Sequence, residues 1–232
     1  MAPRFTSFDD AWRWFEDGGA LVPVAEQREQ LLAGRAQFLV FHAHVTDRRV
    51  LDIAQDVLDA LSDVSGLVPM DPDQLHISIR AVGFQVIEKR RDDEVLRQDV
   101  GAIGDRAAKI ARRAKAARAE AGPVNVFPEA LILEVHDAGS AFATLRRDLA
   151  AAVSADAFGI DDAQYLPHIT IAWFESAAVA DALRERLPEV RAKIEPVETL
   201  VRHIQLARWW FTGLDDDAAP ELDVVRDYGL RG

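Results

Sequence analysis

The chain has 232 residues, 49% of them hydrophobic, enough for a substantial core in one large domain or two compact lobes. Charged residues make up 28% and the formal net charge is -12, so tight binding to long duplex nucleic acid is not expected. A small charged substrate, or a nucleic-acid end held in a locally basic cleft, is compatible with that balance, and the lack of cysteine excludes disulfides, thiolate metal sites and a cysteine nucleophile.

From the start, Met1 to Gly19 carries Arg4, Asp9, Asp10, Arg13, Glu16 and Asp17 and no apolar run of the signal-peptide type. No stretch is long and apolar enough to span a membrane, so the expectation is a cytoplasmic protein with no membrane attachment. Ser7 with Asp10 three residues on resembles a capping box, and Trp12 and Phe15 continue an apolar stripe. This predicts a short helix to about Asp17, stopped by Gly18-Gly19. A second helix is expected from about Ala25 to Ala33. Residues 1–35 thus read as an N-terminal helical extension whose tryptophans anchor it to the body.

Phe38 to Val45 reads as a strand, and an amphipathic helix follows over Val50 to Val64, with Leu51, Val57, Leu58 and Leu61 on its apolar side. Gly66, Pro69 and Pro72 mark a loop. The next strand contains Leu75-His76-Ile77-Ser78-Ile79 and ends near Gly83, with Phe84 to Ile87 extending it or starting a hairpin. Asp92 to Glu120, rich in alanine and arginine, reads as one long helix or two. Its Arg112, Arg113, Lys115 and Arg118 complement the helix dipole, either as a solvated face or as a basic rim that attracts phosphates. Gly122-Pro123 breaks this helix and is the expected division of the chain. Beyond it come a strand over Ala130 to Val135, a helix over Ser140 to Val153, a loop over Asp156 to Asp162, and a strand from Tyr165 to Phe174 containing Pro167-His168-Ile169-Thr170-Ile171. A helix over Ala177 to Leu187 and a strand over Thr199 to Phe211 complete the body. The tail, with Asp215-Asp216-Asp217, is expected to be loose at first.

Strand, helix, loop and histidine strand therefore occur twice in the same order, which suggests a duplicated unit. In each copy a period-two pattern puts the histidine and the hydroxyl residue on one face and the isoleucines in the core. His44-Val45-Thr46 also matches His-x-Thr, but Asp47 follows it where a buried strand needs an apolar residue.

These two motifs resemble those of the 2H phosphoesterases, which include 2'-5' RNA ligase-like proteins and cyclic nucleotide phosphodiesterases. Gly83, seven residues after His76, and Pro167 and Ala172 around the second motif strengthen the resemblance, which covers roughly Gln37 to Phe211. Many members carry an arginine where this chain has Trp173. The resemblance implies an α+β fold with two pseudo-symmetric lobes of antiparallel sheet, backed by helices, around a central active-site cleft. Applied to this chain it divides into the extension, a first lobe over 36–122, a second lobe over 123–212, with allowance for exchanged strands, and an acidic C-terminal tail over 213–232.

The residue types suit phosphodiester chemistry. Two imidazoles can take and give protons near neutral pH, and the Ser78 and Thr170 hydroxyls can donate to the non-bridging oxygens. His76, Ser78, His168 and Thr170 are the expected catalytic residues. Arg80, Tyr165, Trp173, His42 and His203 are expected to bind substrate, with Arg202, Arg208 and Trp209 as further candidates for a phosphate or a base. No metal or cofactor is required. The expected activity is opening of a 2',3'-cyclic phosphate, on a nucleotide or an RNA end, or cleavage of a 2'-5' linkage by a monomer. A non-catalytic phosphate-binding module using the same cleft is the alternative, and a metal-dependent hydrolase using His42 and His44 is a third reading.

Overall fold

The computed structural model describes residues 3–153, 159, 162–211 and 221–232. In chain order the elements are α1 (Phe8–Glu16), α2 (Val24–Leu32), β1 (Gln37–His44), α3 (Arg48–Ala60), β2 (Leu67–Pro69), β3 (His76–Val86), β4 (Glu94–Leu96), α4 (Val100–Ala111), β5 (Ala117–Phe127), β6 (Ala130–His136), α5 (Ala141–Leu149), β7 (His168–Phe174), α6 (Val179–Lys193), β8 (Val197–Val201), β9 (His203–Trp210) and β10 (Glu221–Gly229). The strands join in the order β10-β9-β1-β3-β7-β6-β5-β8, with β2 added to β7 and β4 to β3. All pairings are antiparallel except that of β3 with β4.

The duplicated order is visible in three dimensions: β1-α3-β3 builds one half and β6-α5-β7 the other. The halves exchange strands, since β2 pairs with β7, while β9 and β10 lie beside β1. They meet at one register pair, Ile77 opposite Ile169, where β3 and β7 adjoin. Both isoleucines are buried in a core that also takes in Val57, Phe142, Leu145 and Leu187 from the helices.

At the N-terminus Ser7 Oγ accepts from the Asp10 backbone N–H at 3.1 Å, capping α1 as its sequence predicts. Phe8, Ala11 and Phe15 are buried, and the Arg184 guanidinium donates to the Phe15 and Gly19 carbonyls at 2.8 and 2.6 Å. Trp12 and Trp14 pack against the core, Trp12 beneath the Arg191 guanidinium at 4.7 Å.

Three expected elements are corrected. The helix over Asp92 to Glu120 is instead β4, α4 and the first part of β5, because Ala117, Ala119 and Ala121 alternate with exposed Arg118 and Glu120 and so bury one face of a strand. Gly122-Pro123 lies inside β5, at a register shift between Ala121 and Val124, with Gly122 at φ +109°. The strand over Thr199 to Phe211 is two strands interrupted at Arg202, β8 pairing with β5 and β9 with β1. In the tail, Glu221–Gly229 pairs with β9, while Asp215-Asp216-Asp217 lies outside the described residues. Of the loop over Asp156 to Asp162, only Gly159 and Asp162 are described.

The glycine after the first motif has a steric cause. Gly83 adopts φ +133°, and a Cβ there would come within 2.5 Å of the Asp93 carbonyl oxygen. That carbonyl accepts from the Phe84 N–H at 2.9 Å, at the start of the β3–β4 pairing. Among the described residues no helix is long and apolar enough to cross a membrane.

Candidate active site

In an antiparallel pair, the register of Ile77 opposite Ile169 sets His76 opposite Thr170 and Ser78 opposite His168. Directly opposed residues project to the same face with Cβ atoms roughly 5 Å apart. The isoleucines turn inward, and the two histidines and two hydroxyls share the other face, each partly exposed. The face continues on both sides. From β1, His44 lies opposite His76 and His42 opposite Ser78; from β6, Glu134 lies opposite His168 and Ile132 opposite Thr170.

Both motif histidines are oriented in the same way. His76 Nδ1 lies 2.8 Å from the Gln74 carbonyl and His168 Nδ1 lies 2.7 Å from the Leu166 carbonyl. A carbonyl only accepts, so each Nδ1 carries the hydrogen and each Nε2 holds the lone pair. Burial pushes the His76 pKa down to about 4, with smaller contributions from His168 and His44, against the bond to the Gln74 carbonyl. Burial lowers that of His168 also. Both rings are therefore neutral at pH 7.

The flanks of the two rings differ in chemistry. His76 has the Trp209 ring at 5.2 Å and the His42 ring at 4.8 Å. His42 is fully buried, and its pKa is pushed down to about 3, mainly by desolvation and then by His76. Gln205 ties it down: its Nε2 donates to Asp227 at 3.1 Å, which leaves Oε1 to accept from His42 Nε2 at 3.1 Å. His203 Nδ1 donates to the other Asp227 oxygen at 2.8 Å. On the opposite flank, Phe127 meets His168 edge-on at 4.8 Å and stacks on Phe8 of α1 at 6.2 Å and on Phe5 at 6.1 Å. Buried Glu134 accepts from Asn125 and Arg191, both at 2.7 Å, and from His136 Nε2 at 2.7 Å. Gln205, Asn125, Phe127 and Glu134 escape a reading by motif, because only the pairing of distant strands puts them beside the histidines.

A cavity of about 1280 Å³ opens where the halves meet. Ile77 and Ile169 reach its wall with His44, His136, Leu166 and Gln205, whereas the four motif side chains do not line it. Of the expected substrate-binding residues, His203 and Tyr165 line this cavity, Tyr165 donating its hydroxyl to the Ser78 carbonyl at 3.0 Å. Arg80 does not join the site: a register shift pairs it with Phe41, and its guanidinium reaches the Arg146 carbonyl of α5. Trp173 sits opposite Ala130, away from His168, and donates to Met70 Sδ at 2.9 Å. Arg202 lines the cavity, and Arg208 is paired with Asp223 at 3.0 Å.

Among the described residues no group of three or more His, Asp or Glu side chains is arranged to hold a metal ion. His44 Nε2 bonds to the Asp73 carbonyl at 3.0 Å.

A model of the 2'-5' RNA ligase superfamily matches residues 54–210. No curated protein matches the chain. Among solved structures, the chain is similar to TT0787 of Thermus thermophilus, at 20% identity and a TM-score of 0.56 over 84% of this chain and 98% of that one. It is also similar to E. coli LigT complexed with NADP+, at 13% identity and a TM-score of 0.58 over 85% of this chain and 100% of that one. The same protein complexed with 3'-AMP gives 14% identity and a TM-score of 0.56 over 85% and 100% of the two chains. At these identities the likeness is one of fold, with mixed helices and antiparallel strands in each.

Proposed function

The chain belongs to the 2'-5' RNA ligase superfamily, whose members are 2H phosphoesterases, and on that footing we propose that it is a metal-independent phosphodiesterase acting through His76 and His168. Its substrate is a 2',3'-cyclic phosphate on a nucleotide or RNA end, or a 2'-5' linkage. The 3'-AMP held by LigT supports a nucleoside phosphate as the kind of ligand the cleft takes.

In the cyclic case a water oxygen bonds to phosphorus and the bond from phosphorus to one ribose oxygen breaks. One histidine Nε2 takes the water proton, and the other histidine, protonated, gives a proton to the departing oxygen. The product is a phosphate monoester. A ring that is neutral at pH 7 suits the base. The acid needs a proton, which the anionic phosphate favours once it is bound beside the ring. Ser78 and Thr170 donate to the non-bridging oxygens as charge gathers on them.

The observation that supports this reading most is the Ile77–Ile169 register, which puts two proton-transfer groups and two hydroxyl donors on one face. The test is turnover of a panel of 2',3'-cyclic nucleotides, 2'-5' dinucleotides and cyclic-phosphate-ended RNA, with the product position determined. His76→Ala and His168→Ala are each expected to lose about 10²–10⁴-fold in kcat with unchanged circular dichroism, and EDTA to have no effect. Wild-type rates in both variants would sink the assignment. Binding of every substrate without turnover would leave the cleft as a phosphate-binding module.

A further inference from the structure

With the cleft read as a phosphodiesterase site, on which this inference rests, His76 and His168 must stand at one fixed separation although they belong to different halves of the fold. We propose that Tyr165 and Arg146 are positioning residues for the reaction: they clamp the second half onto the backbone of the first motif and so set where His168 stands relative to His76.

Backbone pairing by itself sets that separation loosely. β3 runs beside β1 over seven register pairs and β7 beside β6 over five, but among the described residues β3 meets β7 only at Ile77 and Ile169. Strands joined by a ladder of bonds resist rotation against each other, whereas strands joined at one point can hinge about it. Just past that point β3 carries a bulge: its register with β1 pairs Ser78 with His42 and Arg80 with Phe41, leaving Ile79 as the extra residue.

Side chains of the second half take hold at this bulge. Arg146 of α5 is 2% exposed, and its Nη1 donates to the Ile79 carbonyl at 2.9 Å. Tyr165 donates its hydroxyl to the adjoining carbonyl, that of Ser78, at 3.0 Å. The two brace each other, because the Arg146 guanidinium lies 4.9 Å from the centre of the Tyr165 ring and its Nε donates to Asp162 at 3.0 Å. Asp162 and Tyr165 belong to one turn, in which the Tyr165 N–H donates to the Asp162 carbonyl at 3.4 Å. That turn leads into the second motif: Leu166, next in the chain, supplies the carbonyl that orients His168 Nδ1, so a shift of the turn carries the His168 ring with it. Stability does not require a guanidinium here. The other buried residues of α5 include Phe142, Leu145 and Leu149, and a buried ion pair is commonly no more stabilising than apolar residues of similar volume. What the guanidinium adds is direction, since its planar fork reaches the carbonyl and the carboxylate together in only one placement of β3, α5 and the turn.

The test uses Tyr165→Phe, which removes the hydroxyl and keeps the ring on Arg146, and Arg146→Lys, which keeps a cation for Asp162 and loses the fork. In the full chain each should lower kcat for a 2',3'-cyclic nucleotide by about 10–100-fold, with KM within about twofold and circular dichroism unchanged. Added to His168→Ala, Tyr165→Phe should cost nothing further, because the ring it positions is gone. Histidine-selective isotope-labelled NMR reads the geometry without turnover. The His168 ring signals, identified by their loss in His168→Ala, should shift or broaden in Tyr165→Phe while those of His203 on β9 stay in place. Unchanged kcat in Tyr165→Phe, a loss that lies in KM, or an equal loss on the His168→Ala background would each overturn the clamp. Lowered kcat with unmoved His168 signals would also overturn it, since Tyr165 would then meet the substrate directly. Displaced His168 signals in a protein whose wild type turns over no substrate would remove the phosphodiesterase reading and keep the clamp. If Arg146→Lys does not fold, Tyr165→Phe decides the matter alone.

Discussion

Mild acid should destabilise this protein through His42, His76 and His168, and replacing His42 should remove the share that His42 contributes. In the unfolded chain all three rings titrate near about 6.5. In the folded protein burial holds His42 down to about 3 and His76 down to about 4, and lowers His168 also. Each therefore binds more protons when unfolded as the pH falls. Its contribution is intact above the unfolded value and drains away from there down to the folded value. Between pH 7.5 and 5.0 His42 and His76 each cost about 2 kcal/mol, or about 4 kcal/mol for the two. His42→Gln removes one of the titrations while keeping an amide donor for the Gln205 oxygen. It should be about 1 kcal/mol less stable than the wild type at pH 7.5, from the poorer fit of that bond, yet lose about 2 kcal/mol less than the wild type on going to pH 5.0. Urea unfolding followed by tryptophan fluorescence at both pH values gives the two differences. If His42→Gln loses as much as the wild type, burial of His42 is not what makes the fold acid-sensitive.

Gly83→Ala should destabilise by about 2 kcal/mol, since its Cβ meets the Asp93 carbonyl at 2.5 Å with the backbone at φ +133°. Limited proteolysis should show faster cleavage near Arg90 and Arg91 as β4 loosens from β3, and an unchanged digest would contradict the steric account. Phe8→Ala should cost about 3 kcal/mol in urea unfolding, because the ring is 8% exposed and packs on Ala130 and Ile132. A loss well under about 1 kcal/mol would mean that α1 is held by its other contacts, through Ala11, Trp12, Phe15 and Arg184.

The two motif strands were legible because their signal is local: period-two alternation fixes which side chains share a face. The fold class followed from the resemblance. Residues 117–121 were misread because alanine favours helices, while the face that buries Ala117, Ala119 and Ala121 is created only by β6 and β8 on either side. Arg202 shows the same limit. A continuous run over Thr199 to Phe211 looks like one strand, yet β8 belongs to one half and β9 to the other. The histidines' neighbours were hidden for a related reason: Gln205 reaches His42 across 163 residues, and Phe127 reaches His168 from the far side of β6. Arg80 was misassigned because a single register shift next to His42 turns it toward α5.

A pair of histidines related by pseudo-twofold symmetry has an ambiguity built into it. A phosphodiester lying between identical partners could enter with either end first, exchanging the acid and base roles and leaving the product position undefined. The flanks of this site lift that degeneracy. On the His76 side the neighbours are His42, tied to Gln205 and Asp227, and the Trp209 ring; on the His168 side they are Glu134, Ile132 and Phe127, the last backed by two aromatic rings of the N-terminal extension. The two imidazoles therefore sit in unlike surroundings, one beside a second histidine and an indole, the other beside a carboxylate and a phenyl ring, and are not interchangeable.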